Sequence, residues 1–166
     1  MRFLEWLGIV PKDQRHAIRI TDPECWLVES THSSAAFYRA LETLAPPGSI
    51  VYLEGTTESE VPMFLKARQS PNSRPVALGT ILPASDRYHM PATNENLIAL
   101  ADLIERYRIA LPAIHTHLYL DQHVLLEWYD AFTDDPIYLS ASIPEAEVRR
   151  FADALGARYR WAKHAV

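Results

Sequence analysis

Short apolar runs alternate with stretches of helical periodicity over the first hundred residues, and this alternation restricts the fold more than any other feature. The runs at 25–29 (CWLVE) and 49–54 (SIVYLE), with VALGTIL inside 74–83, have the length and composition of buried strands. Helical patterns follow them at 33–44, 57–68 and 93–108. Strands that are joined through helices are expected to run parallel, with right-handed crossovers.

Local signals mark the ends of these elements. Thr57 with Glu60, and Ser142 with Glu145, have the spacing of a capping box, in which side chain and backbone satisfy each other's free groups. Gly156 is typical of a helix C-terminus. Residues 16–20 are predicted as a short first strand, and residues 86–91 as a loop.

The pattern changes after Pro112. Residues 113–120, 124–129 and 137–141 are predicted strands with short connections, which favour antiparallel pairing. A helix is predicted from Ser142 to Gly156, and a last strand at 158–163. We therefore expect residues 1–166 to form one α/β (or α+β) domain. Its mixed sheet would hold βαβ units in the first two-thirds, then the antiparallel hairpins, the final helix and the final strand. The alternative is a βαβ half followed by a βββαβ half.

Composition excludes several classes of protein. Cys25 is the one cysteine, so the chain can form no internal disulfide and no cysteine-based zinc site. The N-terminus lacks the apolar core of a signal peptide, and no stretch approaches the ~20 apolar residues of a membrane span. These features predict a soluble, cytoplasmic protein with no membrane partner. The net charge of -5 makes nucleic acid an improbable partner, because phosphate contacts require basic residues.

The most unusual stretch is AIHTHLYLDQHVLLEWYDAF at 113–132, a predicted hairpin with three histidines. A two-residue turn at 121–122 pairs His117 with Leu126 and mixes polar and apolar side chains on both faces. A three-residue loop at 121–123 pairs His117 with Glu127 and separates the faces, so we favour it. His115, His117, Tyr119, Leu125, Glu127 and Tyr129 then share one face, which we expect to be half-solvated.

Three readings of that face remain open. His115, His117 and Glu127 could hold a divalent metal with open coordination positions, as the ligands of a metal-dependent hydrolase do. The same imidazoles and carboxylate could act as acid and base without a metal. The commoner use is structural, with Tyr119 and Tyr129 as an interaction face, because aromatic side chains offer an apolar body and a polar edge.

A second candidate site follows from the predicted parallel strands. In open α/β sheets ligands bind beyond the carboxyl ends of the strands, and these ends carry Glu29, His32, Glu54 and Asp86. We expect these four residues to line a small-molecule site if they converge. No glycine-rich phosphate loop occurs, and no G-x-S-x-G motif, so a P-loop, a dinucleotide-binding fold and an α/β-hydrolase are excluded.

The sequence contains none of the catalytic motifs or cofactor-binding loops considered above. The favoured function is therefore a non-catalytic protein-interaction domain, such as an inhibitor, an immunity-type partner or an adaptor, with another protein as partner and no cofactor. The alternatives are the metal-dependent hydrolase at the hairpin and small-molecule binding at the strand ends.

Overall fold

The computed structural model describes residue 14 and residues 17–31, 33–79 and 85–163. Within them the chain alternates helices and strands and then forms two hairpins. The elements are β1 (Glu24–Val28), α1 (Ser34–Ala40), β2 (Ile50–Glu54), α2 (Glu60–Lys66), β3 (Arg87–Pro91), α3 (Asn94–Tyr107), β4 (His115–Leu120), β5 (His123–Trp128), β6 (Ile137–Ser140), α4 (Glu145–Leu155) and β7 (Tyr159–Lys163). A 3-10 turn, Leu41–Thr43, extends α1.

These strands form one sheet in the order β3-β2-β4-β5-β6-β1-β7, and every neighbouring pair is antiparallel. The antiparallel hairpin region is confirmed, but the mixed sheet and the βαβ units are not. The helical connections β1–α1–β2, β3–α3–β4 and β6–α4–β7 each join two strands of the same direction. Other strands lie between the two, so the parallel contact of a βαβ unit is replaced by antiparallel ladders, which are slightly more stable per residue.

One face of the sheet packs against the helices. Alternate strand residues, such as Val51 and Leu53 of β2 and Leu118 of β4, point into a single apolar cluster to which all four helices contribute. Phe37 of α1 lies near its centre and contacts Trp128 with ring centroids 4.8 Å apart. This cluster is the main core, and its period-two and period-3.6 spacing explains why these elements form.

The opposite face is also covered over part of its width. Residues 17–22 and 74–79, called the cover below, lie against strands β2, β4 and β5. They join each other through a parallel bridge between Ile18 and Val76, in which the Ile18 amide donates to the Pro75 carbonyl at 2.8 Å. Ile20 and Val76 pack there in a second, smaller apolar cluster. The expected half-solvated face is therefore wrong at this end of the sheet.

Several local predictions are corrected. Residues 87–91 were expected in a loop but form β3, because Tyr88 and Met90 alternate into the core. The described part of the predicted strand at 74–83 forms no strand apart from the Val76 bridge, and residues 80–83, like residue 16, lie outside the described chain. Neither capping box forms: α2 and α4 have no side-chain cap, and the Thr57 hydroxyl donates to the Leu111 carbonyl instead.

Candidate functional site

The hairpin of β4 and β5 combines the two registers considered from the sequence. Its turn has two residues, Asp121 and Gln122, because Leu120 pairs with His123. The register then shifts beside Leu118 and Tyr119, so that His117 still pairs with Glu127. One extra residue on β5 forms a β-bulge, which restores the segregation of polar and apolar faces. The pairing of His117 with Glu127 is thus confirmed, while the three-residue loop is wrong.

Polar side chains form a continuous row across the covered face. Strand pairing aligns His89 of β3, Tyr52 of β2, His117 of β4, Glu127 of β5 and Tyr138 of β6. Neighbouring strands are about 4.8 Å apart, so each of these side chains lies within contact distance of the next one in the row. We call this set the polar row. It assembles titratable groups from five strands that are far apart in sequence.

His117 is the most enclosed member of the polar row. Its side chain is completely buried, and neither ring nitrogen has a hydrogen-bond partner among the described residues. The Tyr52 ring stacks on it with centroids 5.5 Å apart, and the Tyr129 ring meets it edge-on at 4.8 Å. Burying an imidazole without hydrogen bonds costs on the order of 1–3 kcal/mol, so such a group needs an explanation.

Two buried carboxylates fasten the cover to the sheet. The Ile20 amide donates to Oε1 of Glu127 at 2.7 Å, and the Gly79 amide donates to Oε2 of Glu54 at 3.1 Å. The Tyr52 hydroxyl also donates to Oε2 of Glu54, at 2.8 Å. Each segment of the cover is therefore held by one glutamate whose side chain accepts a backbone amide.

A third attachment uses Tyr119. Its hydroxyl accepts from the Arg74 amide at 3.1 Å and lies 3.0 Å from Nδ1 of His89. The hydrogen bond between this hydroxyl and the imidazole connects the third attachment to the polar row. Tyr119 is fully buried and Tyr129 is half-buried, so these residues do not form the exposed interaction face expected from the sequence.

Burial shifts the pKa values of the polar row so that each group favours its uncharged form. Complete burial lowers the pKa of His117 to about 3, and burial of His89 lowers its pKa to about 4. Burial raises the pKa of Glu127 to about 7, against the opposing effect of the Ile20 amide. Burial also raises the pKa of Tyr52, and the adjacent Glu54 carboxylate adds to this effect. The covered face thus favours the uncharged form of these groups.

The predicted metal ligands come close together, but His115 and Glu127 each accept a backbone amide. His115 and His117 follow each other on one face of β4, and Glu127 lies opposite His117. Nδ1 of His115 accepts the Asp130 amide at 3.0 Å, and burial lowers the pKa of His115. Across the described ranges, no group of three or more His, Cys, Asp or Glu residues is arranged to hold a metal ion.

The residues at the predicted strand ends do not converge. Glu29 makes an ion pair with Arg158 at 2.6 Å, while Asp86 accepts from the amide of Thr56. Glu54 lies on the covered face, and His32 lies outside the described residues. β1 and β2 are four strand spacings apart, about 19 Å, because three strands separate them. The expected site required these strands to be neighbours.

Tyr52 and Gly79 were missed from the sequence, and Glu54 was predicted only as part of the strand-end site. Tyr52 and Glu54 share the covered face because they alternate with the core residues of β2. The sequence signal is a period of two within a run that otherwise resembles a fully buried strand. Gly79 packs against His115, where an added Cβ atom would lie 2.3 Å from the ring. No sequence signal indicates that contact.

The other end of the sheet presents an open edge. β7 is last in the strand order, and the Glu29 amide donates to the Arg158 carbonyl at 2.9 Å. Hydrogen bonding alternates along an antiparallel pair, so the backbone groups of residues 158, 160 and 162 face β1. Those of 159, 161 and 163 point away from it, and no strand of the described chain pairs with them.

Tyr159, Trp161 and Lys163 lie on one side of this edge, together with Trp26, and Arg160 lies on the other. Trp26 contacts Trp161 with centroids 4.6 Å apart and Tyr159 at 6.0 Å, and Trp161 remains 42% exposed. Arg160 and Lys163 are exposed and make no ion pair with a described residue. We call β7 with Trp26 the open edge. It concentrates positive charge in a chain whose net charge is -5.

None of the described helices has both the length and the apolar character needed to cross a membrane. No protein-family model, no curated protein and no solved structure matches the chain. The polar row and the open edge are therefore the features of the molecule from which a function can be inferred.

Proposed function

We propose that the protein is a non-catalytic interaction domain, and that it binds a partner protein by accepting an extended segment along β7. The observation that carries this proposal is the row of outward-facing backbone groups at residues 159, 161 and 163. Unpaired strand edges are templates for a further strand, and folded proteins otherwise block them. Main-chain hydrogen bonds of this kind supply affinity in strand-addition complexes.

The side chains of the open edge favour a particular partner. A strand added to β7 places alternate residues beside Arg160 on one face and beside Trp161 on the other. Arg160 favours acidic residues in the first set, because opposite charges across a strand pair stabilise it. Trp161 favours apolar residues in the second. The expected partner segment is therefore extended, with acidic and apolar residues in alternation.

A second copy of the chain fits this edge less well. Antiparallel pairing of two β7 strands about Trp161 would set Arg160 of each copy diagonally across from its counterpart, about 7–8 Å away on one face. Like charges at that spacing repel each other. An acidic segment removes this repulsion, so we expect a different protein as the partner.

The test is a binding measurement with a labelled eight-residue peptide of alternating Glu and Val, followed by fluorescence anisotropy. The matched pair is Trp161→Ala and Trp161→Pro, because both remove the indole but only proline removes the outward-facing amide. Trp161→Pro should bind about tenfold more weakly than Trp161→Ala, a difference of about 1.4 kcal/mol.

A peptide of alternating Lys and Val tests the charge preference. It should bind at least about tenfold more weakly than the acidic peptide, and Arg160→Glu should reverse the order. Equal affinity of both peptides contradicts the acidic partner, and equal affinity of the two Trp161 variants contradicts strand addition. The proposal also fails if the acidic peptide does not bind at millimolar concentration, or if light scattering shows a dimer that Trp161→Pro abolishes.

A further inference from the structure

The cover and the polar row together hold an unusual pair of groups. His117 and Glu127 lie directly opposite each other on β4 and β5, and their side chains are 0% and 3% exposed. Glu127 fastens residues 17–22 through the Ile20 amide, and His117 lies beside it without a hydrogen-bond partner among the described residues. Binding of a strand at the open edge requires neither the attachment of residues 17–22 by Glu127 nor the burial of His117, so the pair needs a separate explanation.

Burial determines the charge of this pair while the cover is closed. An imidazolium without an acceptor in a dry site is strongly disfavoured, so His117 is neutral. Ionised Glu127 would keep a single main-chain donor, the Ile20 amide, in the same dry site. Burial accordingly lowers the pKa of His117 to about 3 and raises the pKa of Glu127 to about 7.

Other titratable groups face this pair from every adjacent element. They are Arg87 and His89 from β3, Tyr52 and Glu54 from β2, His115 and Tyr119 from β4, Tyr129 after β5, Tyr138 from β6, and Arg19 and Arg74 from the cover. The buried His115 adds to the lowering of the pKa of His117 that burial causes. Arg19 acts on Glu127 and favours its ionised form, but burial has the larger effect.

We propose that residues 17–22 close over an uncharged His117–Glu127 pair, and that opening of this segment transfers one proton from the Glu127 carboxyl to the His117 ring. In water, a histidine ordinarily has a higher pKa than a glutamic acid, about 6.5 against 4.3. The open form therefore holds an imidazolium and a carboxylate at slightly acidic pH. The proton leaves Glu127 and arrives on a ring nitrogen of His117, so opening neither takes up nor releases a proton.

This exchange makes the cover a conformational device with a defined pH response. Between about pH 4.5 and 6.5 the two groups cancel, and their combined contribution to opening stays constant. Removal of either partner exposes the response of the other. Loss of Glu127 leaves a histidine that favours opening in acid, while loss of His117 leaves a glutamate that favours opening at higher pH.

Hydrogen exchange of the Ile20 amide tests this directly, because that amide is protected by Glu127. Glu127→Gln keeps an acceptor oxygen but cannot ionise. After correction for intrinsic exchange, the opening constant of Glu127→Gln, divided by that of wild type, should rise about 40-fold as the pH falls from 6.5 to 4.5. The opening constant of His117→Gln, divided by that of wild type, should fall about 50-fold over the same interval. Glu95→Gln and His123→Gln, both exposed, should follow wild type.

A second measurement reads the closed pair without any substitution. The carboxyl carbon shift of Glu127 and the ring nitrogen shifts of His117 should show a protonated acid and a neutral imidazole at pH 5.5. An ionised Glu127 or a charged His117 at that pH overturns the proposal. It also fails if either substitution leaves the pH dependence of Ile20 exchange as in wild type, because proton exchange requires both partners.

Discussion

At the scale of single residues, the covered face leaves no spare volume beside Gly79. The His115 ring lies where a side chain at residue 79 would begin, and the nearest ring atoms include Cγ, which cannot move without the whole ring. His115 is itself held by the Asp130 amide and is 3% exposed. The Gly79 amide must also reach Glu54. A small residue at this position is therefore a packing requirement.

We expect Gly79→Ala to lower the free energy of unfolding by about 1–3 kcal/mol, because overpacking moves His115 or the cover. Urea denaturation measures the change, and the ring proton shifts of His115 should move with it. Gly156→Ala is the comparison, since its added Cβ meets no atom but its backbone has φ +64°. That variant should lose about 1 kcal/mol without any shift at His115. A Gly79→Ala variant as stable as wild type contradicts this account of the packing.

At the scale of elements, strand alternation could largely be predicted from the sequence, while helix ends could be predicted only in part. Gly156 ends α4 in the left-handed conformation as expected, whereas neither predicted capping box forms. The hairpin bulge could not be predicted, because two turn lengths reach the same pairing of His117 with Glu127 when one residue is looped out. β3 was missed because its polar residues and terminal proline resemble a loop.

The C-terminus of α3 offers an element-scale prediction. Arg108 ends this helix with φ 55°, a left-handed conformation that disfavours side chains with a Cβ atom. Arg108→Gly should raise the free energy of unfolding by about 0.5–1 kcal/mol, because relief of this strain exceeds the entropy that glycine adds to the unfolded chain. Arg106→Gly, two residues earlier in the last turn of the helix and also exposed, should lower it by about 1 kcal/mol. Chemical denaturation of both variants measures these changes. A loss of stability in Arg108→Gly would show that the left-handed backbone at residue 108 costs less than the added entropy of glycine.

At the scale of the whole molecule, the order of strands decides which predicted residues meet. Period two correctly placed His115, His117 and Glu127 on one face, because that depends on one hairpin. The burial of that face could not be predicted, because residues 17–22 and 74–79 reach it from distant parts of the chain. The strand-end site failed for the same reason: helical connections do not reveal that three strands separate β1 from β2.

The covered face also determines how stability depends on pH. Burial lowers the pKa of His89 to about 4, and its Nδ1 atom is hydrogen-bonded to the Tyr119 hydroxyl. The folded protein then binds fewer protons than the unfolded chain between about pH 4 and 6.5, so stability falls as the pH falls through this interval. The opposite pKa shifts of His117 and Glu127 offset each other there. His89 therefore supplies a large part of the remaining dependence.

We expect the free energy of unfolding to fall between pH 7 and 4.5, and His89→Gln to reduce that fall by about 1–3 kcal/mol. Glutamine can still accept the Tyr119 hydroxyl, so the substitution removes mainly the titration. Urea denaturation of wild type, His89→Gln and the exposed control His123→Gln at both pH values measures the effect. If His89→Gln loses as much stability on acidification as wild type, the cover responds to acid through other groups. A matching change in His123→Gln would show that the response is not specific to the covered face.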